Sequence, residues 1–290
     1  MLITVFTPTY NRAYTLSSLY RSLINQSCMD FEWLVIDDGS IDETEQLIAK
    51  YIDENKLNIR YVKTENAGKH IAINKGVDLA KGELFFIVDS DDQLPKNSIK
   101  DILSNYHKVK EDYSIAGVVG RRGDKLKGVI GSESGFTELV VNALDFRYKH
   151  NIVGDMAEVI KTDVLKKYKF PQFGKEKFCP ESLVWNRIAQ QYDFLWFNEI
   201  VYYCEYLPDG LTSSIVKIRM KSPKSSMLHY SELSKYKIPL KQKVKAIINF
   251  WRFSFNNDQT IFESLKSVSF VMSFFCLPIG YLAYIIDRKK

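Results

Sequence analysis

The chain has 290 residues, 46% hydrophobic and 26% charged, which supplies enough apolar side chain for a full core and excludes general disorder. Its net charge of +5 hides an uneven split: residues 216–290 hold 14 Lys/Arg against 4 Asp/Glu, a net of +10, leaving 26 basic and 31 acidic residues, a net of −5, in 1–215. A basic tail on an acidic body predicts an anionic partner, and the apolar run that closes the tail favours an anionic membrane surface and no nucleic acid. Four scattered cysteines (Cys28, Cys179, Cys204, Cys276) without a C-x-x-C pair read as reduced thiols of a cytosolic protein. The first apolar run, Leu2 to Phe6, is cut by Pro8 and lacks a basic lead, too short for a signal peptide, so the N-terminus is expected to stay in the cytosol.

In chain order, Ile3–Phe6 reads as a buried strand. Leu16, Leu19, Tyr20, Leu23 and Ile24 then share one helical face. Phe31–Ile36 is a second strand, followed by Asp37-Asp38-Gly39-Ser40, where Ser40 and Glu43 predict a capping box for a helix burying Leu47, Ile48 and Tyr51. Ile59–Val62 and Glu83–Val88 are the next strands, with a helix around Ile71–Ala80 between them. Pro95 opens a helix striped by Ile99, Ile102, Leu103 and Tyr106, and Ile115–Val119 is a fifth strand. This alternation predicts a mainly parallel α/β sheet with helices on both faces, whose ligands bind beyond the carboxyl ends of the strands. Residues 120–180 read as loops around a shorter sheet, Glu181–Tyr192 as a helix and Phe194–Tyr203 as a strand. A boundary is expected near 215, dividing a domain of residues 1–215 from a segment of residues 216–290.

The strongest local signal is Asp89-Ser90-Asp91-Asp92 after the apolar run Leu84–Val88. Alternate side chains of extended chain share a face, so Asp89 and Asp91 point to one site, where two hard carboxylates suit Mg²⁺ or Mn²⁺. The plainer reading is an acidic turn that caps the next helix. Thr7-Pro8-Thr9-Tyr10-Asn11-Arg12 follows the first strand, Asp37-Asp38-Gly39-Ser40 the second, and Asn66-Ala67-Gly68-Lys69-His70 precedes the third helix.

This order of motifs, across roughly residues 1–212, resembles the inverting family-2 glycosyltransferases of the GT-A fold, of the kind found in bacterial surface polysaccharide synthesis. The resemblance implies a nucleotide-sugar donor, usually of UDP, and a lipid-linked or glycan acceptor. It implies that Thr7, Pro8, Thr9, Tyr10 and Arg12 line the nucleotide pocket and that Asp38 accepts from the base. Lys69 would offset phosphate or base-edge charge, and Asp89, Ser90 and Asp91 would meet ribose, metal and diphosphate. It places Glu181, six residues before Arg187 in Glu181-Ser182-Leu183-Val184-Trp185-Asn186-Arg187, at the general base, although a single Glu after Pro180 departs from the family's acidic pair. Asp155 and Asp92 fall on the acceptor side, and Asp209-Gly210-Leu211-Thr212-Ser213 looks like the segment that closes over the donor.

In the tail, Ile247, Ile248, Phe250, Trp251 and Phe255 mix with Lys241, Lys243, Lys245 and Arg252, which predicts a basic amphipathic helix lying among lipid headgroups. The run 268–286 is near the length of a membrane span, which stays open, while Pro278 and Gly280 favour a bent or re-entrant element and a hairpin returning to the cytosol accounts for the basic residues on both flanks. The expected location is the cytoplasmic face of the membrane. Other readings fit the sequence less well. A phosphotransferase with an aspartyl nucleophile would want Thr or Val where Gln93 stands, and an inactive membrane scaffold has no need of Asp38, Asp89, Asp91 and Glu181 together.

Overall fold

The apolar runs of the first half form strands, three of them buried on both faces as helix-covered parallel sheets require and the edge strand Ile59–Lys63 half-buried. They are β1 (Ile3–Thr9), β2 (Phe31–Asp37), β3 (Ile59–Lys63) and β4 (Leu84–Ile87), with α1 (Ala13–Ile24), α2 (Thr44–Asp53) and α3 (Lys69–Leu79) between them. β1 pairs in parallel with β2 and β4, and β2 with β3. After β4 come α4 (Ser98–His107), β5 (Ile115–Asp124), β6 (Gly128–Val129), β7 (Glu138–Val141), α5 (Ala143–Tyr148), β8 (Met156–Lys161) and α6 (Thr162–Lys167). The chain continues through α7 (Glu181–Ile188) to β9 (Asp193–Tyr203).

The strands join one sheet in the order β3-β2-β1-β4-β8-β5-β9-β7, with β6 paired to β5. β8 runs antiparallel between β4 and β5, so the mainly parallel sheet is interrupted at its centre by a strand from the region expected to be loop. Its mid-strand Glu158 and short length hid it. The core is built on one face from Leu16, Leu19, Trp33, Ile48, Ile99 and Tyr106, with Tyr20 and Tyr51 stacked at 3.8 Å. The buried Glu32, near the start of β2, is satisfied by the Thr4 hydroxyl at 2.7 Å, Lys81 N–H at 2.8 Å and Arg60 at 3.0 Å.

The computed structural model describes residues 1–132, 136–204 and 214–289. The chain divides into two compact units. One is Met1–Lys169 with Arg187–Leu207 and holds the sheet; the other is Phe170–Asn186 with Pro208–Lys290. The second unit contains α8 (Ile215–Lys221), α9 (Pro223–Lys235), α10 (Leu240–Ser254), α11 (Ile261–Leu265) and α12 (Phe270–Arg288). The α10 residues expected among headgroups are instead its core: Ile247, Phe250 and Trp251 are buried with Met227, Val268 and Cys276. The expected hairpin is also corrected, because 270–288 is one helix that runs through Pro278. All four cysteines are free thiols.

Candidate active site

The site assembles where β1, β2, β3 and β4 end. Past β1, Asn11 takes a left-handed conformation (φ 53°), which Asn tolerates better than most residues. There its N–H donates to Ser40 Oγ at 2.8 Å and its Oδ1 accepts from Ile41 N–H at 2.9 Å, stitching the first loop to the second. Ser40 is thereby used as an acceptor, and the expected Ser40–Glu43 box does not form. Asp42 serves the start of α2 instead, accepting from Thr44 N–H at 3.1 Å and Ala13 N–H at 3.1 Å.

The two aspartates that end β2 have different duties. Asp37 is fully buried and accepts from Ser40 N–H at 2.7 Å and Tyr61 Oη at 2.6 Å, bracing the loop from below. Asp38 accepts from Ala67 N–H at 2.7 Å and Gly68 N–H at 2.8 Å, one bond to each carboxylate oxygen. It therefore holds the loop that leads into α3, where Gly68 adopts φ +98°, a backbone state that L side chains resist. The next residue, Lys69, places its ammonium 2.6 Å from Asp89 Oδ1. A chain of contacts thus runs from β2 through the loop before α3 to the end of β4.

Asp89 to Asp92 are held from behind. Asp89 N–H donates to Tyr202 Oη at 3.0 Å, and the Tyr202 hydroxyl donates to Asp92 Oδ2 at 2.6 Å. Arg122 lies over the Tyr202 ring at 4.2 Å, tied by its Nε to Met156 O at 2.7 Å. Burial opposes ionisation of Asp89, but the Lys69 and Arg122 charges outweigh it and keep that carboxyl below its ordinary range. Asp91 shifts the other way: burial and the neighbouring Asp89 charge push it up. Asp89 is thus compensated while Asp91 beside it is short of positive charge, which is the condition a divalent cation relieves. Among the described residues no group of three or more His, Cys, Asp or Glu is placed to hold a metal by itself. The donor set therefore fits a cation shared with ligand oxygens and water, as Mg²⁺ and Mn²⁺ accept.

The remaining expected residues are placed as follows. Thr7 is fully buried, its hydroxyl accepting from Trp33 Nε1 at 2.9 Å. Pro8 and Thr9 are buried, and Thr9 O accepts from Asp38 N–H at 2.8 Å. Tyr10 is exposed, while Arg12 is half-buried and bonded to the Tyr14 hydroxyl. Ser90 and Asp92 are buried. Burial pushes the Cys204 thiol up to about 11, opposed by Arg122 and aided by Asp92 and Asp155, which puts Asp155 within electrostatic reach of this cluster. Glu181 belongs to the second unit, half-buried as the first residue of α7. The segment 209–213 lies outside the described residues. Sequence reasoning missed Tyr202, Arg122, Asp37 and Tyr61. The one available signal was Arg121-Arg122, a charged pair in an otherwise apolar strand.

The sheet, with a loop-clamping aspartate, a lysine–aspartate pair and the Asp89-Ser90-Asp91 turn at its strand ends, has the GT-A architecture. Residues 4–166 match the profile of "Glycosyl transferase family 2", more than half of the chain. The chain belongs to that family. It is 32% identical over 126 residues to the Staphylococcus aureus poly(ribitol-phosphate) β-N-acetylglucosaminyltransferase TarS, a match covering 42% of this chain and 22% of that one. It is 25% identical over 216 residues to the Campylobacter jejuni GalNAc(5)-diNAcBac-PP-undecaprenol β-1,3-glucosyltransferase, covering 72% and 67%. The chain thus spans about a fifth of the length of TarS. Among solved structures it is similar to S. aureus TarS 1–349 in complex with UDP-GlcNAc (TM-score 0.68, 20% identity, 99% of this chain and 89% of that one). It is also similar to the mannosyltransferase PcManGT from Pyrobaculum calidifontis in complex with GDP-Man and Mn²⁺ (TM-score 0.57, 17% identity, 98% and 87%). At these identities the likeness is one of fold.

Proposed function

We propose that the protein transfers a single hexosyl or N-acetylhexosaminyl unit from a UDP-sugar to a hydroxyl of a lipid-linked or surface-glycan acceptor, with inversion at the anomeric carbon. The observation that carries this reading is the 2.6 Å contact of Lys69 with Asp89, which sets one cation and a D-x-D pair together at the strand ends. Relatives named for β-linked transfer to poly(ribitol-phosphate) and to an undecaprenol-linked glycan support the donor and acceptor classes.

In this reading Asp89 and Asp91 hold Mg²⁺ or Mn²⁺, which when bound would neutralise charge on the leaving diphosphate. Lys69 adds a second positive charge beside those oxygens. Asp38, by fixing Ala67 and Gly68, shapes the wall of the base pocket and accepts from the base N–H. Tyr10, Arg12 and Thr9 line the same pocket, with Thr7, Pro8 and Ser90 supporting it from within. Glu181 takes the proton of the acceptor hydroxyl as it attacks. Asp92 and Asp155 border the acceptor side, and the tail keeps the protein at the cytoplasmic face of the membrane.

The test is calorimetric titration of the full chain with UDP, GDP and ADP, with and without Mn²⁺. Mn²⁺-dependent binding of UDP that is lost in Asp91→Ala supports the proposal. A folded protein that binds none of them removes it.

A further inference from the structure

α12 is amphipathic in the reverse sense to a helix of a soluble protein. The stripe it buries is small or polar: Ser273, Cys276, Gly280 and Asp287. The face it leaves open is apolar from end to end, with Phe270, Phe274, Phe275, Ile279, Leu282 and Ile286 exposed, Phe274 by 75%. The first charged side chain of the helix is Asp287. Burying the small stripe while exposing the aromatic one costs hydrophobic free energy in water, so the open face calls for an apolar covering.

Charge identifies the covering. Lys266 precedes α12, while Arg288 ends it and Lys289 follows, all exposed, and the tail as a whole carries +10. An apolar strip with cations at both ends matches the boundary between acyl chains and anionic headgroups.

Packing decides the orientation. α12 is long enough to span, at 19 residues or ~28 Å against a hydrocarbon core of ~30 Å. α10, however, crosses it near its midpoint. A Cβ on Gly280 would lie 2.6 Å from Trp251 Cβ and 3.0 Å from Arg252 N. Arg252 is also held to Asp287, with Nη2 2.8 Å from Oδ1. A spanning α12 would carry the α10 backbone at Trp251 and Arg252 into the hydrocarbon, together with Arg252 and the Asn249 side chain it contacts. Charged groups at that depth are heavily penalised.

We propose that α12 is a monotopic anchor that lies in the plane of an anionic membrane surface, its Phe270–Ile286 face in the acyl boundary and both of its ends on the same side. α10 is the strut that holds it flat. This is independent of the catalytic reading, since it is measured without any transfer reaction.

The full chain should float with sealed phosphatidylglycerol/phosphatidylcholine vesicles. The double substitution Phe274→Glu with Phe275→Glu should lose at least tenfold in bound fraction while keeping its melting temperature. In a Cys28→Ser, Cys204→Ser background, Ser269→Cys and Lys289→Cys should both react with a membrane-impermeant maleimide on inside-out vesicles from bacteria expressing the chain. Protection of Lys289→Cys until detergent is added would mean a span and overturn the proposal. Failure of the intact chain to float would also overturn it. So would a dimer in solution that the double substitution dissociates, because the face would then be covered by a second copy.

Discussion

Glu176 caps Ser225: its Oε2 accepts from the Ser225 N–H at 2.9 Å and the Ser225 hydroxyl at 2.8 Å, while Oε1 accepts from Lys224 N–H at 2.8 Å. A carboxylate thus satisfies free N–H groups in the first turn of α9 and faces the positive end of its dipole. Arg219 of α8 lies over the Phe178 ring at 5.5 Å, a second tie in the same unit. The stretch before Glu181 is therefore fastened to the tail helices from both sides of Lys177.

Glu176→Ala should cost about 1–2 kcal/mol, the value of a helix N-cap, and should lower turnover with little change in UDP affinity. Glu176→Gln, which keeps one acceptor oxygen, should recover part of both. Thermal melting and calorimetry on the two variants check this, and equal turnover in wild type and Glu176→Ala would separate the tie from catalysis.

Glu181→Gln keeps shape and removes the proposed base. Turnover should fall by about 10² or more, as for loss of a general base, while calorimetry with UDP and Mn²⁺ should match the wild type. Undiminished turnover would take Glu181 out of the mechanism.

Lys69→Met removes the cation that holds Asp89 ionised. UDP–Mn²⁺ affinity at neutral pH should weaken by about tenfold, the scale of one charge-assisted hydrogen bond. Without Lys69 the Asp89 carboxyl titrates higher, so the acid limb of the affinity–pH curve should move to higher pH. Titrations between pH 4 and pH 8 report the shift, and superimposable limbs would show that Asp89 does not depend on Lys69.

Tyr202→Phe takes one donor from the buried Asp92 carboxylate and removes the acceptor of Asp89 N–H. The expected loss is about 1–3 kcal/mol, the cost of unsatisfied buried groups, with weakened Mn²⁺-dependent nucleotide binding because the D-x-D turn loses its backing. Denaturant melts and calorimetry test the two halves separately.

How far the sequence reached can be seen from particular residues. β1 to β4 were legible because buried strands and amphipathic helices have different periods, and Leu16, Leu19, Tyr20 and Leu23 are all in the core. Asp38 was legible as a special residue, but its bonds to Ala67 and Gly68 join positions 29 and 30 residues away, which local pattern does not encode. β8 was hidden because Glu158 interrupts its apolar pattern. In α10 the periodicity was read correctly and the partner was not: Phe250 and Trp251 meet α9 and α12 rather than lipid, and a helical period alone does not name the surface it packs on.

His70 and His229 are both buried neutral imidazoles, which burial lowers to about 4 and about 3 from an ordinary 6.5. The unfolded chain binds protons at these sites first, so their contribution to stability is complete above pH 6.5 and is lost as pH falls towards 4 and then 3. His70→Asn and His229→Leu should each flatten the fall of melting temperature with pH across that window. An unchanged slope would place the acid sensitivity elsewhere.

The path of the chain between its two units has a practical consequence. It leaves the sheet after Lys169, returns at Arg187 and leaves again after Leu207. Three crossings mean that no single cut yields both parts intact. A fragment ending at 215 keeps the loops around Asp38 and Asp89 but strands Phe170–Asn186, including Glu181, without the helices it was folded against. Exchanging the tail for that of a relative would succeed only if the incoming helices brought a seat for Glu176. The tail is therefore inherited with Phe170–Asn186, not attached after it.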